Sequence, residues 1–127
     1  MFNLLKIEGG RINVHEPEMH TVGSAALARG TVCVLTNGLL VAATGKTKPT
    51  HITLAAGKSD KRIPTGRIED NQVYETTITV FSDSLVVGAK IQLSDGTSVT
   101  NNTEDGVATI VDLLDASAAG DIIHVRF

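Results

Sequence analysis

The sequence predicts an all-β fold: a small β-barrel or sandwich built from two related strand-turn-strand halves, preceded by an extended N-terminal arm. Three observations predict it. Apolar and polar residues alternate with period two in short stretches, a self-match at an offset of 58 residues pairs two of these stretches, and turn-forming residues separate the candidate strands. No stretch sustains a 3.6-residue period, although residues 107–115 also fit a short helix.

The arm, residues 1–23, lies outside the self-match. Phe2, Leu4, Leu5 and Ile7 form a short apolar head, and Glu8-Gly9-Gly10 and His15-Glu16-Pro17-Glu18 interrupt regular structure. Such an arm either docks on its own barrel or adds a strand to a partner's exposed sheet edge. Residues 24–127 form the single β domain, with repeat copies over 26–68 and 84–127.

In the self-match, the stretch from Ala26 to Val41 aligns with Ser84 to Val99, sharing Leu27/Leu85, Gly30/Gly88, Leu35/Leu93, Gly38/Gly96 and Val41/Val99. Each copy reads as a glycine-led entry, a strand, a tight turn and a return strand. Asn37-Gly38 and Asp95-Gly96 are dipeptides favoured by a two-residue type I′ turn, in which both central residues need positive φ. Ala89, Ile91 and Leu93 alternate with Lys90 and Gln92, which points the first set inward; the repeat then points Thr31, Cys33 and Leu35 inward too. Further strands are expected near 51–55, 62–68, 74–81, 107–114 and 121–127. Leu27, Cys33, Leu35, Val41, Leu85, Ile91, Leu93, Val99, Ile123 and Val125 make the expected core. Cys33 therefore reads as a small buried hydrophobe rather than a nucleophile, since a reactive thiol needs an exposed electropositive setting.

A chain of 127 residues buries a core without a metal or disulfide, and the single cysteine forms no internal disulfide. No apolar run reaches the roughly 20 residues of a membrane span, and Met1-Phe2-Asn3-Leu4-Leu5-Lys6 lacks a signal-peptide layout, so a soluble, unprocessed protein is expected. Aromatic residues are 3% of the chain and the net charge is -3, which argues against ring-stacked sugar or single-strand ligands and against nucleic acid.

Local motifs give no catalytic site. Gly45-Lys46-Thr47 resembles the end of a phosphate loop, but Leu40 stands where that loop needs glycine. In His15-Glu16-Pro17-Glu18-Met19-His20 the histidines are five apart with a proline between, which excludes a zinc-protease helix. His51 and His124 fall on separate strands without a third ligand, so all four histidines read as structural or solvated. No cofactor and no metal are expected. Asn101-Asn102-Thr103 reads as a polar loop.

Charge is unevenly spread. Between Lys46 and Arg67 six basic residues face one acid, Asp60; between Glu69 and Asp121 ten acids face one base, Lys90. Two oppositely charged faces suit neighbouring copies of a repeating assembly, and they also suit two plain solvated surfaces.

Two segments are similar to a known family. Ala26-Leu27-Ala28-Arg29-Gly30-Thr31-Val32, with Leu35-Thr36-Asn37-Gly38 and Lys48-Pro49-Thr50-His51-Ile52, resembles the opening of small tailed-bacteriophage head-decoration (capsid cement) and head-fibre-base proteins. Ser84-Leu85-Val86-Val87-Gly88-Ala89-Lys90-Ile91 through the closing stretch from Ala119 to Phe127 resembles the closing barrel strands of such proteins. The resemblance implies a non-enzymatic virion protein on the outer capsid surface, bound in many copies to the major capsid protein and beside copies of itself. It identifies no contact residues. From the arm's apolar head and the basic stretch, the expected contacts are Phe2, Leu4, Leu5 and Ile7 of the arm and the basic Lys58, Lys61, Arg62 and Arg67. The alternative is a small adhesion or ligand-binding module on a virion or bacterial surface.

Overall fold

The computed structural model describes residues 1–9 and 16–127. Among them twelve strands form: β1 (Asn3–Ile7), β2 (Glu18–Val22), β3 (Val32–Thr36), β4 (Leu39–Ala42), β5 (His51–Thr53), β6 (Arg62–Arg67), β7 (Gln72–Ile78), β8 (Lys90–Ile91), β9 (Leu93–Asp95), β10 (Ser98–Val99), β11 (Ala108–Asp112) and β12 (Ile122–Arg126). The fold is all-β. Residues 107–115, which also fit a helix, carry β11, because Ala108 and Ile110 alternate inward between two partner strands.

β2 to β6 close a five-stranded barrel in the order β2-β4-β3-β5-β6. The remaining strands form a second sheet in the order β8-β11-β12-β7-β10-β9, with β1 added along β7. The two ends of that row, β8 and β9, are separated in the chain by Gln92 alone, so the sheet curls round on one interrupted strand.

The same pairing scheme builds both units. β2 runs parallel to β4 and antiparallel to β6, as β7 runs parallel to β10 and antiparallel to β12. β3 pairs β4 and β5 as the β8/β9 stretch pairs β10 and β11, and β5 pairs β6 as β11 pairs β12. Loop hydrogen bonds repeat as well. The Gly30 amide donates to Thr53 O at 2.9 Å and Gly88 to Ile110 O at 2.8 Å; Asp60 donates to Val22 O at 3.0 Å and Gly120 to Ile78 O at 2.7 Å. Gly30 and Gly88 both have positive φ (75° and 91°), which explains the glycine shared at that entry. Each unit starts one strand earlier than residues 26 and 84, with β2 and β7.

The expected arm is therefore not a free extension. β2, inside residues 1–23, is a barrel strand, and β1 pairs antiparallel with β7, with a bulge at Leu5. Phe2 is buried, its ring 5.5 Å from that of Phe127, and its amide donates to Gly30 O of the first barrel. Apolar residues at positions 2, 4, 5 and 7 read as a sticky head because a lone sequence does not show which strand they cover.

Eight of the ten expected core residues are buried: Leu27, Cys33, Leu85, Ile91, Leu93, Val99, Ile123 and Val125. Burial pushes the Cys33 thiol up to about 12, which keeps it protonated and unreactive. Leu35 and Val41 are exposed instead, and Leu40 is buried. β3 pairs β5 only at Val32 and Cys33, so Leu35 lies past the cover that β5 provides. Val41 fails through register. In the second hairpin Val99 opposes Leu93 across a bulge, whereas in the first Leu40 opposes Leu35, so Leu40 and not Val41 corresponds to Val99. A one-residue slip moves a side chain to the other face.

The two turns also differ. Asn37 and Gly38 have φ of 51° and 78°, as a type I′ turn requires. Asp95-Gly96 does not follow them. Asp95 Oδ1 accepts from the Thr97 amide at 2.7 Å, the Thr97 hydroxyl at 2.8 Å and the Ser98 hydroxyl at 2.9 Å, which folds the chain as an Asx turn. Gly96 is needed for space. A Cβ there would lie 2.6 Å from Thr31 Cγ2 and 3.0 Å from Ala42 Cβ, and its carbonyl accepts the Val32 amide at 2.7 Å.

These contacts set two stability predictions, read by urea unfolding. Leu40→Ala should cost about 2–5 kcal/mol, while Val41→Ala stays within about 0.5 kcal/mol; equal losses would contradict the register. Gly96→Ala should cost on the order of 1–3 kcal/mol through overpacking, and a neutral result would mean that the two units separate easily at this point.

Candidate functional site

The inward row of β2 begins apolar and turns polar: Val22 is fully buried, and His20 and Glu18 follow it two and four residues back on the same face. β5 brings His51 beside them, and β6 brings Arg67, the register partner of His51. Glu18 is the hub. Its Oε2 lies 2.9 Å from His20 Nε2 and 3.0 Å from His51 Nε2, while its Oε1 accepts from Arg67 Nη2 at 2.9 Å. The imidazoles meet edge to face with ring centroids 4.9 Å apart, and His51 Nδ1 lies 2.8 Å from the Thr50 hydroxyl. His51 is buried, and Glu18 and His20 are partly open to solvent.

The shared pairing scheme shows what stands at these places in the second unit. Glu18 pairs Thr65 as Tyr74 pairs Val125, and His20 pairs Ile63 as Thr76 pairs Ile123. Extending the register, His51 corresponds to Ala108 and Arg67 to Phe127. The second unit thus closes this end with buried Tyr74 and Phe127, ring centroids 5.8 Å apart and joined by Phe2. The first closes it with a carboxylate, two imidazoles and a guanidinium.

Hydrogen bonds from His20 and His51, assisted by the charge of Arg67, hold the Glu18 carboxyl at about 2 against the opposing effect of burial. A carboxylate so firmly ionised is a weak base near neutral pH. Its chemistry is to accept hydrogen bonds or to ligate a cation: Glu18, His20 and His51 offer three ligand atoms that all lie within 4.8 Å of one another. Sequence reasoning missed this cluster. Glu18-x-His20 on one strand face was the available signal, but it was obscured by pairing His20 with His15, which lies outside the described residues. His124 stands elsewhere, 3.8 Å from Glu75.

The expected contact residues do not form one patch. Phe2 is buried. Leu4, Ile7 and Arg67 line a groove of about 390 Å³ that also touches Ile52, Leu54 and Tyr74. Leu5 is exposed in the β1 bulge. Lys58, Lys61 and Arg62 are exposed around the turn into β6, whose last residue is Arg67, about 17 Å of strand away. The charge division is partly consumed inside the molecule, since Lys46 bridges to Glu104 at 2.9 Å and Asp105 at 3.1 Å. Lys46 and Thr47 sit in a turn closed by the Thr47 amide on Thr44 O, with no helix after it.

Because the folded carboxyl of Glu18 is held near 2, below its ordinary 4.5, its stabilising effect is complete above about 4.5 and is lost as pH falls toward 2. Thermal unfolding between those limits should show wild type losing its advantage over Glu18→Gln as acid is added; a constant gap would show that the ionised carboxylate is not the stabilising form.

No family model matches this chain, and no curated protein matches it.

Proposed function

We propose that this chain is a non-catalytic structural protein of a tailed-bacteriophage virion, binding the outer surface of the capsid and stabilising the head. One observation supports the reading most. The segments that resemble head-decoration and head-fibre-base proteins, Ala26–Val32 and Ser84–Ile91, lie at equivalent points of the two units, after the first strand of each, and pass through Gly30 and Gly88 with similar positive φ and matching hydrogen bonds. The likeness therefore falls on the residues that organise the architecture.

The surface offers a means of attachment. β1 pairs with β7 along one side, and Leu4 and Leu5 on it are about half exposed (49% and 47%). An edge strand with exposed leucines suits strand addition or apolar docking on a capsid subunit. The turn carrying Lys58, Lys61 and Arg62 adds a salt-sensitive contact to an acidic neighbour. Binding only the assembled capsid stabilises that state by the binding free energy, and many copies add their effects. A ligand-binding module is the second reading, favoured by the groove between β1 and the first barrel, where Arg29 and Arg67 flank apolar Ile52, Leu54 and Tyr74.

The test uses mature, expanded capsids that lack the protein. Wild type should saturate them and raise their resistance to heat. Leu4→Asp with Leu5→Asp should weaken binding at least about tenfold while leaving the thermal unfolding of the free protein little changed, because both side chains are exposed. Removing the whole segment is uninformative, since Phe2 belongs to the core. Failure of wild type to bind any capsid form of its own phage would sink the decoration reading.

A further inference from the structure

We infer that Glu18, His20 and His51 form a binding site for a divalent transition-metal ion, Zn²⁺ by preference, that staples the first barrel. Two imidazole nitrogens and one carboxylate oxygen are a recognised set for borderline divalent cations. Their spacing fits. An ion held at about 2.1 Å places neighbouring ligand atoms about 3.0–3.4 Å apart, and Glu18 Oε2 already stands 2.9 Å from His20 Nε2 and 3.0 Å from His51 Nε2. All three ligand atoms fall within 4.8 Å of one another, so the ion needs only side-chain rotation that draws the two imidazoles together, toward about 3.4 Å.

The surrounding groups complete the site. With an ion bound, His51 carries its proton on Nδ1, where the Thr50 hydroxyl at 2.8 Å accepts it, and Nε2 gives up its hydrogen bond to Glu18 and turns its lone pair to the ion; such an outer-shell contact is usual for metal-bound histidines. Arg67 holds Oε1 of Glu18 at 2.9 Å, which orients Oε2 inward. Partial exposure of Glu18 and His20 leaves the remaining coordination positions to water. The site draws on β2 and β5, which are not neighbours in the barrel but flank β6. A metal there ties the barrel across a strand.

The physical need is visible in the cores. The first barrel's own buried cluster is Val22, Leu27, Cys33, Leu40 and Ile63, whereas the second unit anchors a cluster that includes Phe2, Tyr74 and Phe127. Where the second copy has Tyr74, Thr76 and Ala108, the first has the three ligands. Ion binding restores by coordination the closure that the second copy obtains from aromatic burial.

The test titrates Zn²⁺ into the chelator-treated full chain near neutral pH, with stoichiometry from native mass spectrometry and stability from thermal unfolding. One ion per chain and a rise in melting temperature that EDTA reverses are expected. His20→Ala and His51→Ala should each weaken Zn²⁺ at least about tenfold, while His124→Ala binds as wild type does. Should His51→Ala fail to fold, His20→Gln at the more exposed position carries the comparison. Absence of stoichiometric Zn²⁺ on wild type would overturn the inference and leave a hydrogen-bonded cluster; equal binding by the His20 and His51 variants would overturn it by placing the ion elsewhere.

Discussion

The structure depends on the close approach of its two units at Gly96. The Val32 amide of the first barrel donates to the Gly96 carbonyl at 2.7 Å, and Gly45 and Leu93 form a reciprocal pair of hydrogen bonds beside it. A side chain at Gly96 would occupy the space of Thr31 and Ala42. Because nothing separates the units there, Val32, Ala43 and Ile52 of the first join Ile91, Leu93, Val99 and the aromatic residues of the second in one core. Five short strands enclose few side chains, so a small barrel gains by sharing an interface.

That shared core makes sense of the N-terminal strand. β1 belongs by pairing to the second unit, yet its Phe2 amide is hydrogen-bonded to Gly30 of the first, and a Cβ on Gly30 would collide with Met1 and the Phe2 carbonyl. The segment stitches the units together. Its outward residues, Leu4 and Leu5, remain as the apolar edge on which the head-decoration reading draws.

The two units differ in chemistry at one end. The backbone scheme is common to both units, but the inward positions at one end hold Glu18, His20, His51 and Arg67 in the first and Tyr74, Thr76, Ala108 and Phe127 in the second. Burial raises the Tyr74 hydroxyl above its ordinary value, with the nearby Glu69 charge adding to it, and that hydroxyl donates to Gln72 Oε1 at 2.6 Å. Glu18 is shifted the opposite way by its donors. Two chemistries occupy one architectural niche, and only the polar one presents ligand atoms to solvent.

Alternation, turn dipeptides and a self-match were enough to read the all-β class, most of the core and the existence of two related halves, because strand side chains alternate strictly and Gly30, Gly88 and Asn37-Gly38 announce local backbone conformations. Those are short-range constraints, and the sequence by itself determined them. Tertiary structure decided the rest. A bulge at Ser94 shifted the second hairpin's register, which put Leu40 rather than Val41 inside; the close packing of the two units, not turn geometry, required Gly96; and β7 turned the head of an apparent arm into a paired edge strand. The polar cluster is the extreme case: Glu18 and His51 are 33 residues apart, and only closure of the barrel around β6 brings their side chains onto one point.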